Sequence, residues 1–440
     1  MNKIRSIQDI VDWGLCVGCG ACYAACKKQG VQLFDVAKAG IRPRFDAEKC
    51  GTCTDCLAVC PGYRRDYEAD GGGDDVARMD ADLGPVLEVW EGYAAHSQFR
   101  YRGASGGVMS ALALYGVEGE GMSWAIQTGM DESAPWRTHT YLSYDRETIL
   151  RCAGSRYAPA APCAALRNLE HMTDSGIFLG KPCDVAAVVR MRRKSEFIRD
   201  RIGMVISHFC AGTPSTQGTL DVLSHLGMEP DEIGSLRYRG YGWPGHFTST
   251  HRSNGVTCTL PYRDLWAMLQ HYCPLSCRLC PDGLGWFADI SCGDAWYLVD
   301  QCSIGHSLMI VRTGSGRRML RKAIEDRYII AVEVSPETVV KSQQALIRKR
   351  QVLHGRLKAL AMLGIPTTDY QGFQLSEYWR TLPPATKVKE MIGTWKRVLM
   401  RKLWHPRPLW QNGQGNALPL DVETWMGRES QDIRVPLVRI

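Results

Sequence analysis

Eight cysteines near the amino terminus decide how the first part of this chain folds. Four lie in "CVGCGACYAAC" (residues 16–26) and four in "CGTCTDCLAVCP" (residues 50–61). Both runs have the spacing C-x2-C-x2-C-x3-C, in which three close thiolates bind one 4Fe–4S cluster and the fourth reaches a neighbouring cluster. The runs therefore predict two clusters that exchange their fourth ligands. One ligand set comprises Cys16, Cys19, Cys22 and Cys60, and the other comprises Cys50, Cys53, Cys56 and Cys26.

Residues 1–63 are accordingly predicted to form a ferredoxin-type domain with two 4Fe–4S clusters. The alternative is a pair of zinc sites, but structural zinc sites place their ligands as two pairs separated by a longer spacer. The second run ends in Cys60-Pro61, as the bacterial pattern does, whereas Lys27 replaces the proline after Cys26. That departure removes no ligand, so the prediction of two clusters stands.

The composition of the whole chain indicates a globular, metal-binding protein of several domains. Its 440 residues suffice for two or three domains, and 45% hydrophobic and 22% charged residues are ordinary for a globular protein. Eighteen cysteines in a long chain indicate metal binding rather than a disulfide scaffold. We find no signal peptide and no apolar run of ~18 residues, so we expect a reducing, cytoplasmic location. The net charge of +7 suits an acidic partner or a membrane surface, and the sequence shows no nucleic-acid-binding pattern.

Strand and helix patterns alternate from about residue 93 and predict an α/β (α+β) core. Apolar runs predict strands in "MSWAIQTG", "GIFLG", "RIGMVISHF" and "SLMIVRT", with helices around 162–172 and 185–194. A hairpin is predicted to turn at Asn254-Gly255, and two basic helical patterns cover 336–363 and 387–404. The predicted divisions are the ferredoxin-type domain at 1–63, a linker at 64–92, two parts of the core at 93–180 and 181–335, and a helical extension at 336–440.

Ten further cysteines lie outside the two runs, and three of them form another metal-binding pattern. In "HYCPLSCRLCPDG", Cys277 and Cys280 form a Cys-x-x-Cys pair, and Cys273 lies just before them. This spacing indicates a metal site that lacks one ligand, and it does not distinguish zinc from iron.

Seven phrases in a fixed order resemble the family of coenzyme F420 hydrogenase/dehydrogenase beta subunits, which includes the 7-hydroxymethyl chlorophyll a reductase type. The resemblance extends from the ferredoxin runs to about residue 313. It implies FAD and a third 4Fe–4S cluster close to it, so that the α/β core would be a flavoprotein core. The phrases are "YRGASGGVMSALALYG", "CAGSRYAPAAPCAALRNL", "IFLGKPCDVAAVVRMRR", "VISHFCAGTPS", "RYRGYGWPG", "CRLCPDGLGWFADISCGDAW" and "SLMIVRT".

The resemblance also implies which cysteines bind this inner cluster, namely Cys183, Cys210, Cys277 and Cys280. Cys183 and Cys210 both follow apolar strand patterns, where loops gather ligands in open α/β sheets. In the alternative, these two are merely buried and Cys273 joins the Cys-x-x-Cys pair around zinc. The remaining cysteines are interpreted as structural; they are Cys152, Cys163, Cys258, Cys292 and Cys302.

Three glycine-containing loops are the candidate flavin sites. "GASGGVMSAL" precedes a helix whose free amides suit a pyrophosphate, although it also reads as a plain helix-initiating loop. "AGSRYAP", which the resemblance places beside FAD, offers an arginine for phosphate and a tyrosine for a ring system. "ADISCGDAW" adds a glycine and an aspartate, and the aspartate also reads as a cap or turn residue. The candidates are Ser105, Gly106, Gly107, Gly154, Ser155, Arg156, Tyr157, Gly293 and Asp294.

His208 and His246 are candidate proton donors to a reduced substrate, although a lone histidine is more often structural. The resemblance predicts an iron–sulfur flavoprotein oxidoreductase that exchanges electrons with ferredoxin or F420 and reduces a small organic substrate. The alternatives are an electron-relay subunit of a larger complex and a zinc-stabilised binding protein. We expect a homo-oligomer. The basic helices beyond residue 335 could pack on the core, dock a partner subunit or lie on a membrane.

Overall fold

The structure is a computed structural model that describes residues 4–70, 77–302, 304–410, 417–420 and 422. Over these residues, no helix combines the length and the apolar character needed to cross a lipid bilayer. The mixed α/β fold, the amino-terminal ferredoxin-like module and the carboxyl-terminal helices that the sequence predicted are confirmed.

The amino-terminal module consists of short helices around one antiparallel hairpin. Its first helix starts with a capping box between Ser6 and Asp9, which satisfies amides that a helix start leaves free. Gly18 and Gly20 have φ angles of +72° and +84°, which glycine adopts without strain, so the first cysteine run can curl around a small space. The elements are α1 (Ile7–Asp12), α2 (Ala21–Ala24), β1 (Val31–Val36), β2 (Gly40–Phe45), α3 (Ala47–Cys50) and α4 (Asp55–Ala58).

The segment predicted as a linker, residues 64–92, contains strands, and its last strand belongs to the main sheet. Leu83, Val86 and Val89 are buried, and they hold the segment on the core. The linker interpretation was wrong here because acidic and glycine residues dominate the composition and mask these short apolar stretches. The glycine run itself, at 71–73, lies outside the described residues. The elements are β3 (Arg64–Asp66), α5 (Tyr67–Asp70), β4 (Arg78–Asp80), β5 (Gly84–Val86), β6 (Glu88–Ala94) and α6 (Ser97–Arg102).

Helices and strands alternate through the next hundred residues, as the sequence predicted. The predicted strands in "MSWAIQTG", "GIFLG" and "RIGMVISHF" are present, whereas the predicted helix at 162–172 is a 3-10 helix (Pro162–His171). The other elements are α7 (Val108–Glu118), β7 (Trp124–Met130), β8 (Thr138–Ser143), α8 (Arg146–Arg151), β9 (Gly176–Gly180), α9 (Pro182–Lys194), α10 (Glu196–Arg201) and β10 (Ile202–His208).

A separate lobe is inserted in the chain between β10 and β14, which are neighbouring strands of the main sheet. It contains the predicted hairpin, in which β12 and β13 pair across the turn at Asn254-Gly255. The chain then returns to the main sheet. The elements are α11 (Thr216–His225), β11 (Ile233–Arg237), β12 (His246–His251), β13 (Thr257–Pro261), α12 (Tyr262–Leu269), α13 (Leu275–Arg278), β14 (Ile290–Asp294), β15 (Ser307–Val311), α14 (Gly314–Glu325) and β16 (Ile329–Glu333), with short 3-10 helices at Pro230–Glu232, Gln270–Tyr272 and Trp296–Leu298.

The main sheet, as far as the described residues show it, has eight strands in the order β16-β6-β15-β14-β10-β9-β7-β8. The four adjacent strands β14, β10, β9 and β7 are parallel, and the flanking pairs are antiparallel. Helix α7 contributes to an apolar core on one face of the sheet, and α9 contributes to a second core on the other face. Because the central strands are parallel, their carboxyl ends meet at one edge, where ligands bind in open α/β sheets.

The carboxyl-terminal extension packs on the core. The pattern at 336–363, predicted as one helix, is three helices with breaks at Gln343 and Val352. That prediction was wrong because the break depends on a distant contact: the Gln343 side-chain amide donates to the carbonyl of Asp294 at 2.7 Å. The elements are α15 (Pro336–Ser342), α16 (Gln344–Gln351), α17 (Leu353–Met362), β17 (Asp369–Gln371), α18 (Leu375–Thr381), α19 (Pro384–Arg401) and β18 (Ala417–Pro419).

Candidate functional site

A cavity of about 220 Å³ lies at the carboxyl ends of the parallel strands. Its walls come from residues 127–128 of β7, 179–181 at the end of β9, 208–213 after β10, 292–294 of β14 and the start of α7. All the candidate flavin residues line this cavity except Gly106. The topology thus brings together three loops that are far apart in the sequence.

The loop before α7 is fixed to the sheet on one side and open to the cavity on the other. Ser105 Oγ donates to the carbonyl of His306 at 2.9 Å, and the Gly106 amide donates to Ser307 Oγ at 2.9 Å. Gly107 has a φ of +73° and begins α7 without a side-chain cap. The first amides of α7 therefore suit an anionic group, whereas the amide of Gly106 is already used.

Arg156 lines the cavity, but its guanidinium is occupied by the protein. Nη2 donates to the carbonyls of Pro135 and Arg137 at 2.8 and 2.6 Å, and Nη1 donates to the carbonyl of Leu236 at 3.0 Å. The sequence suggested a phosphate ligand at this position. The geometry instead makes Arg156 a support for the cavity wall, because its two terminal nitrogens already bind carbonyl groups.

The other candidates of these loops shape the wall as well. The Tyr157 ring packs against Tyr262 and Trp266, with centroid distances of 5.9 and 5.5 Å. Gly293 lies so close to Phe209 that an added Cβ would stand 1.9 Å from its ring. Gly293 is thus required by packing. Gly154 has a φ of +117° and, together with Ser155, lines the cavity.

Asp294 is held by a buried ion pair. Arg239, whose side chain is 1% exposed, donates through Nη2 to Oδ1 at 2.6 Å and through Nη1 to Oδ2 at 3.1 Å. The Trp243 indole also donates to Oδ1 at 2.8 Å. This two-pronged contact ties β14 to the lobe that covers the cavity, so Asp294 positions the lobe.

We expect Asp294→Ala to lower the free energy of unfolding by about 3–5 kcal/mol, because it leaves the Arg239 charge buried without a partner. Urea denaturation of the holoprotein measures this loss. Glu232→Ala is the matched control, since it removes a half-exposed carboxylate that pairs with His251, and exposed pairs contribute about 0–1 kcal/mol. Equal losses in the two variants would contradict the assigned role of Asp294.

The two candidate histidines differ in position. His208 lines the cavity, where burial and then the charge of Lys181 lower its pKa to about 4. It is therefore neutral at pH 7 and is not a ready acid there. His246 is exposed at the start of β12 and is not among the residues that line the cavity.

The four cysteines assigned to the inner cluster surround one small space. Cys183 opens α9 after β9, Cys210 follows β10, and the Cys277–Cys280 pair comes from α13 and its end; all four line the same cavity. Residues 210–213 also line the large cavity, so the two spaces share a wall. Cys273 is not among the residues that line this small cavity, although its sulfur lies near Gly212.

The structure brings members of each predicted amino-terminal cysteine set close together. Cys16, Cys19, Cys22 and Cys60 line one small cavity. In the other set, the Gly30 amide donates to the Cys26 sulfur at 3.3 Å, and the Cys50 thiol lies 3.9 Å from the Gly30 carbonyl, so these two cysteines lie beside each other. Throughout the described ranges, no three Cys, His, Asp or Glu side chains are already placed as ligands of a single metal ion.

Two buried cations beside these sites were missed by the sequence analysis. Lys181 lines the large cavity, and its Nζ lies 2.7 Å from Asp184 Oδ2. Although burial opposes its charge, the Asp184 carboxylate raises the pKa of Lys181 above its ordinary value. The position of Lys181 between the end of β9 and Cys183 could have identified it from the sequence as a site residue. Arg65 lines the inner cysteine cavity, and nothing in its sequence context indicated this.

Family models match most of the described chain. Two models describe the coenzyme F420 hydrogenase/dehydrogenase beta subunit. The model of its N-terminal part matches residues 89–167, and the model of its C-terminal part matches residues 174–337. A 4Fe–4S dicluster domain matches residues 15–62.

Individual relatives cover much of the chain at low identity. An uncharacterised protein of Methanocaldococcus jannaschii is 23% identical over 80% of this chain and 98% of its own length. A subunit of the F(420)H(2) dehydrogenase of Methanosarcina mazei is 24% identical over 66% of this chain and 80% of its own length. A chain of the F420-reducing [NiFe] hydrogenase complex from Methanosarcina barkeri has the same fold, with a TM-score of 0.53 and 20% identity, over 66% of this chain and 98% of that one.

Proposed function

Because this chain belongs to the family of coenzyme F420 hydrogenase/dehydrogenase beta subunits, we propose that it is an FAD- and 4Fe–4S-dependent oxidoreductase that reduces a small organic substrate. Its dicluster domain would exchange single electrons with an external carrier, and its α/β core would hold the flavin and a third cluster. We place this reaction in a reducing, cytoplasmic environment, where its eighteen unpaired thiols persist.

The observation that carries the proposal is the continuity of three sites. Val17 lines both the cavity of the first amino-terminal cysteine set and the inner cysteine cavity. Ser276, in α13, donates to the carbonyl of Cys16 at 3.2 Å, which joins two sites that lie far apart in the sequence. The loop at 210–213 then separates the inner site from the large cavity. Redox groups bound in these three spaces would therefore form a chain in which the inner cluster lies between the first amino-terminal cluster and the flavin.

The residues of the large cavity suit a flavin. The uncapped start of α7 would bind the pyrophosphate, with Gly107, Gly154 and Ser155 allowing close approach. Lys181 would supply positive charge beside the ring system. Bound FAD would supply the interconversion of two-electron and one-electron transfer. The volume of about 220 Å³ lies below the usual 300–1,000 Å³ of ligand pockets, so a whole dinucleotide requires the surrounding loops to move apart.

The electron carrier is proposed to be ferredoxin or F420. The basic net charge suits an acidic ferredoxin, and Cys53 and its neighbouring residues at 51–55 are exposed, which would let a carrier protein approach the second cluster. Two relatives are named for F420, the F(420)H(2) dehydrogenase subunit of Methanosarcina mazei and the coenzyme F420 hydrogenase subunit beta of Methanosarcina barkeri, and this supports the other carrier. Either direction of electron flow is compatible with this arrangement.

A second candidate function, an electron-relay subunit of a larger redox complex, is supported by the surface of α19. Val388, Ile392 and Leu399 lie four and seven residues apart on one side of this helix and are 57%, 55% and 63% exposed. Exposed apolar residues at this spacing form a seam for another helix or surface. Two relatives are named as subunits, which agrees with this candidate.

Iron and flavin analysis of anaerobically purified protein tests the proposal. We expect about twelve irons and one FAD per chain, because three clusters hold four irons each. A content of about eight irons would contradict the proposed inner cluster. The absence of flavin would contradict the proposed FAD-dependent oxidoreductase. Reduction by F420 or by ferredoxin, followed at the flavin absorbance, then identifies the carrier, and co-purification with a second subunit would favour the relay function.

A further inference from the structure

Arg65 joins the amino-terminal module to the inner cysteine site. It lies in β3, five residues after Cys60, and is 1% exposed. Its Nη1 donates to the sulfur of Cys280 at 3.0 Å, and its Nε donates to the carbonyl of Pro61 at 3.0 Å. One guanidinium thus contacts a proposed ligand of the inner cluster and the residue that follows a ligand of the first cluster.

The contact with Cys280 is charge-assisted and protected from water. Hydrogen bonds from ionised donors are roughly twice as strong as neutral ones, and a buried site screens them less. Lys349 also lines the inner cavity, but its Nζ reaches the carbonyls of Ala211 and Cys277, both at 3.4 Å. Among the described residues that line this cavity, Arg65 is therefore the cation whose hydrogen bond reaches a sulfur atom.

Such a donor acts on the reduction potential. Hydrogen bonds to cluster sulfurs and nearby charge are among the factors that set the potentials of 4Fe–4S clusters. Reduction adds one negative charge to a cluster, so a fixed cation beside a ligand sulfur stabilises the reduced state more than the oxidised state. Arg65 stabilises the reduced state of the amino-terminal clusters less, because its contact on that side is a hydrogen bond to the carbonyl of Pro61 and not to a sulfur.

We infer that Arg65 is a positioning residue that raises the midpoint potential of the inner cluster above that of its amino-terminal neighbours and so draws electrons towards the large cavity. In this transfer, one electron leaves a reduced amino-terminal cluster, which returns to its oxidised state, and one electron reduces the inner cluster; no proton moves. The external electron carrier supplies the electron. This inference rests on the proposed function, since it requires the inner cluster.

Redox titration of the full-length holoprotein with dithionite, followed by electron paramagnetic resonance, tests the inference. The signal that is missing in Cys183→Ala identifies the inner cluster. In Arg65→Met, we expect the ratio of reduced to oxidised inner cluster at fixed solution potential to fall at least tenfold, which is about 59 mV for one electron. Arg65→Lys, which keeps the charge but loses the planar fork, should recover part of this difference.

Arg167→Met is the matched control. Arg167 donates to the carbonyls of Tyr23 and Cys26 at 2.6 and 3.0 Å, so it contacts a cluster loop without a hydrogen bond to sulfur. It should leave the inner potential unchanged. If Arg65→Met does not fold, Arg65→Gln replaces it and should show the same fall.

An unchanged inner potential in a variant that retains about twelve irons would overturn the inference, as would an equal fall in all three clusters. About eight irons in the unmodified protein would instead overturn the proposed inner cluster. The two failures are therefore distinguishable.

Discussion

We expect Cys183→Ala to remove about four of twelve irons per chain, because it deletes one corner ligand of the proposed inner cluster and leaves the amino-terminal sets intact. Cys183 lines the inner cavity with three other thiols that come from different elements. Its loss would leave one corner of the proposed cluster without its cysteine ligand. Iron analysis and the intensity of the visible absorption measure the loss.

Two further alanine substitutions serve as a control and as a test of the alternative ligand set. Cys258→Ala is the matched control, since Cys258 lies in β13 of the lobe and belongs to none of the three sets; it should keep about twelve irons. Cys273→Ala tests the zinc alternative. Loss of metal from Cys273→Ala but not from Cys183→Ala would reject the proposed ligand set and favour a zinc site with the Cys277–Cys280 pair.

We expect Ser110→Trp to reduce the proposed flavin from about one FAD per chain to less than a tenth, while the iron content stays at about twelve. Ser110 lies in the first turn of α7 and lines the large cavity. An indole at this position would fill space in a cavity of about 220 Å³ and would cover the helix start proposed to bind the pyrophosphate. Flavin fluorescence after denaturation quantifies the bound cofactor.

Ser224→Trp is the matched control, because it introduces the same side chain at an exposed position of α11. This variant should retain about one FAD per chain. Flavin retention in Ser110→Trp at the level of Ser224→Trp would place FAD elsewhere in the chain. A parallel loss of iron in Ser110→Trp would instead indicate a general folding defect, which circular dichroism would reveal.

Much of the local structure was accessible from the sequence. The apolar runs around β7, β9 and β10 predicted strands because side chains buried on both faces of a parallel sheet produce such runs. Arg156 was expected to offer its guanidinium to a phosphate, and Asp294 to lie in a cofactor loop or to act as a cap or turn residue. Both line the cavity, but both are bound by protein groups. Their partners, the carbonyl of Leu236 and the guanidinium of Arg239, lie dozens of residues away, and local patterns carry no information about them.

The sequence alone determined the dicluster domain, because both runs space their cysteines to wrap two cubanes and this requirement is local. It also located the strand ends that precede Cys183 and Cys210. The resemblance implied that those two thiols join the Cys277–Cys280 pair, and the tertiary structure shows all four around one space. Only the tertiary structure decided that residues 88–92 join the main sheet and that Arg65 reaches a sulfur 215 residues away. These contacts depend on how elements that are far apart in the chain pack together, which the spacing of residues within one element does not specify.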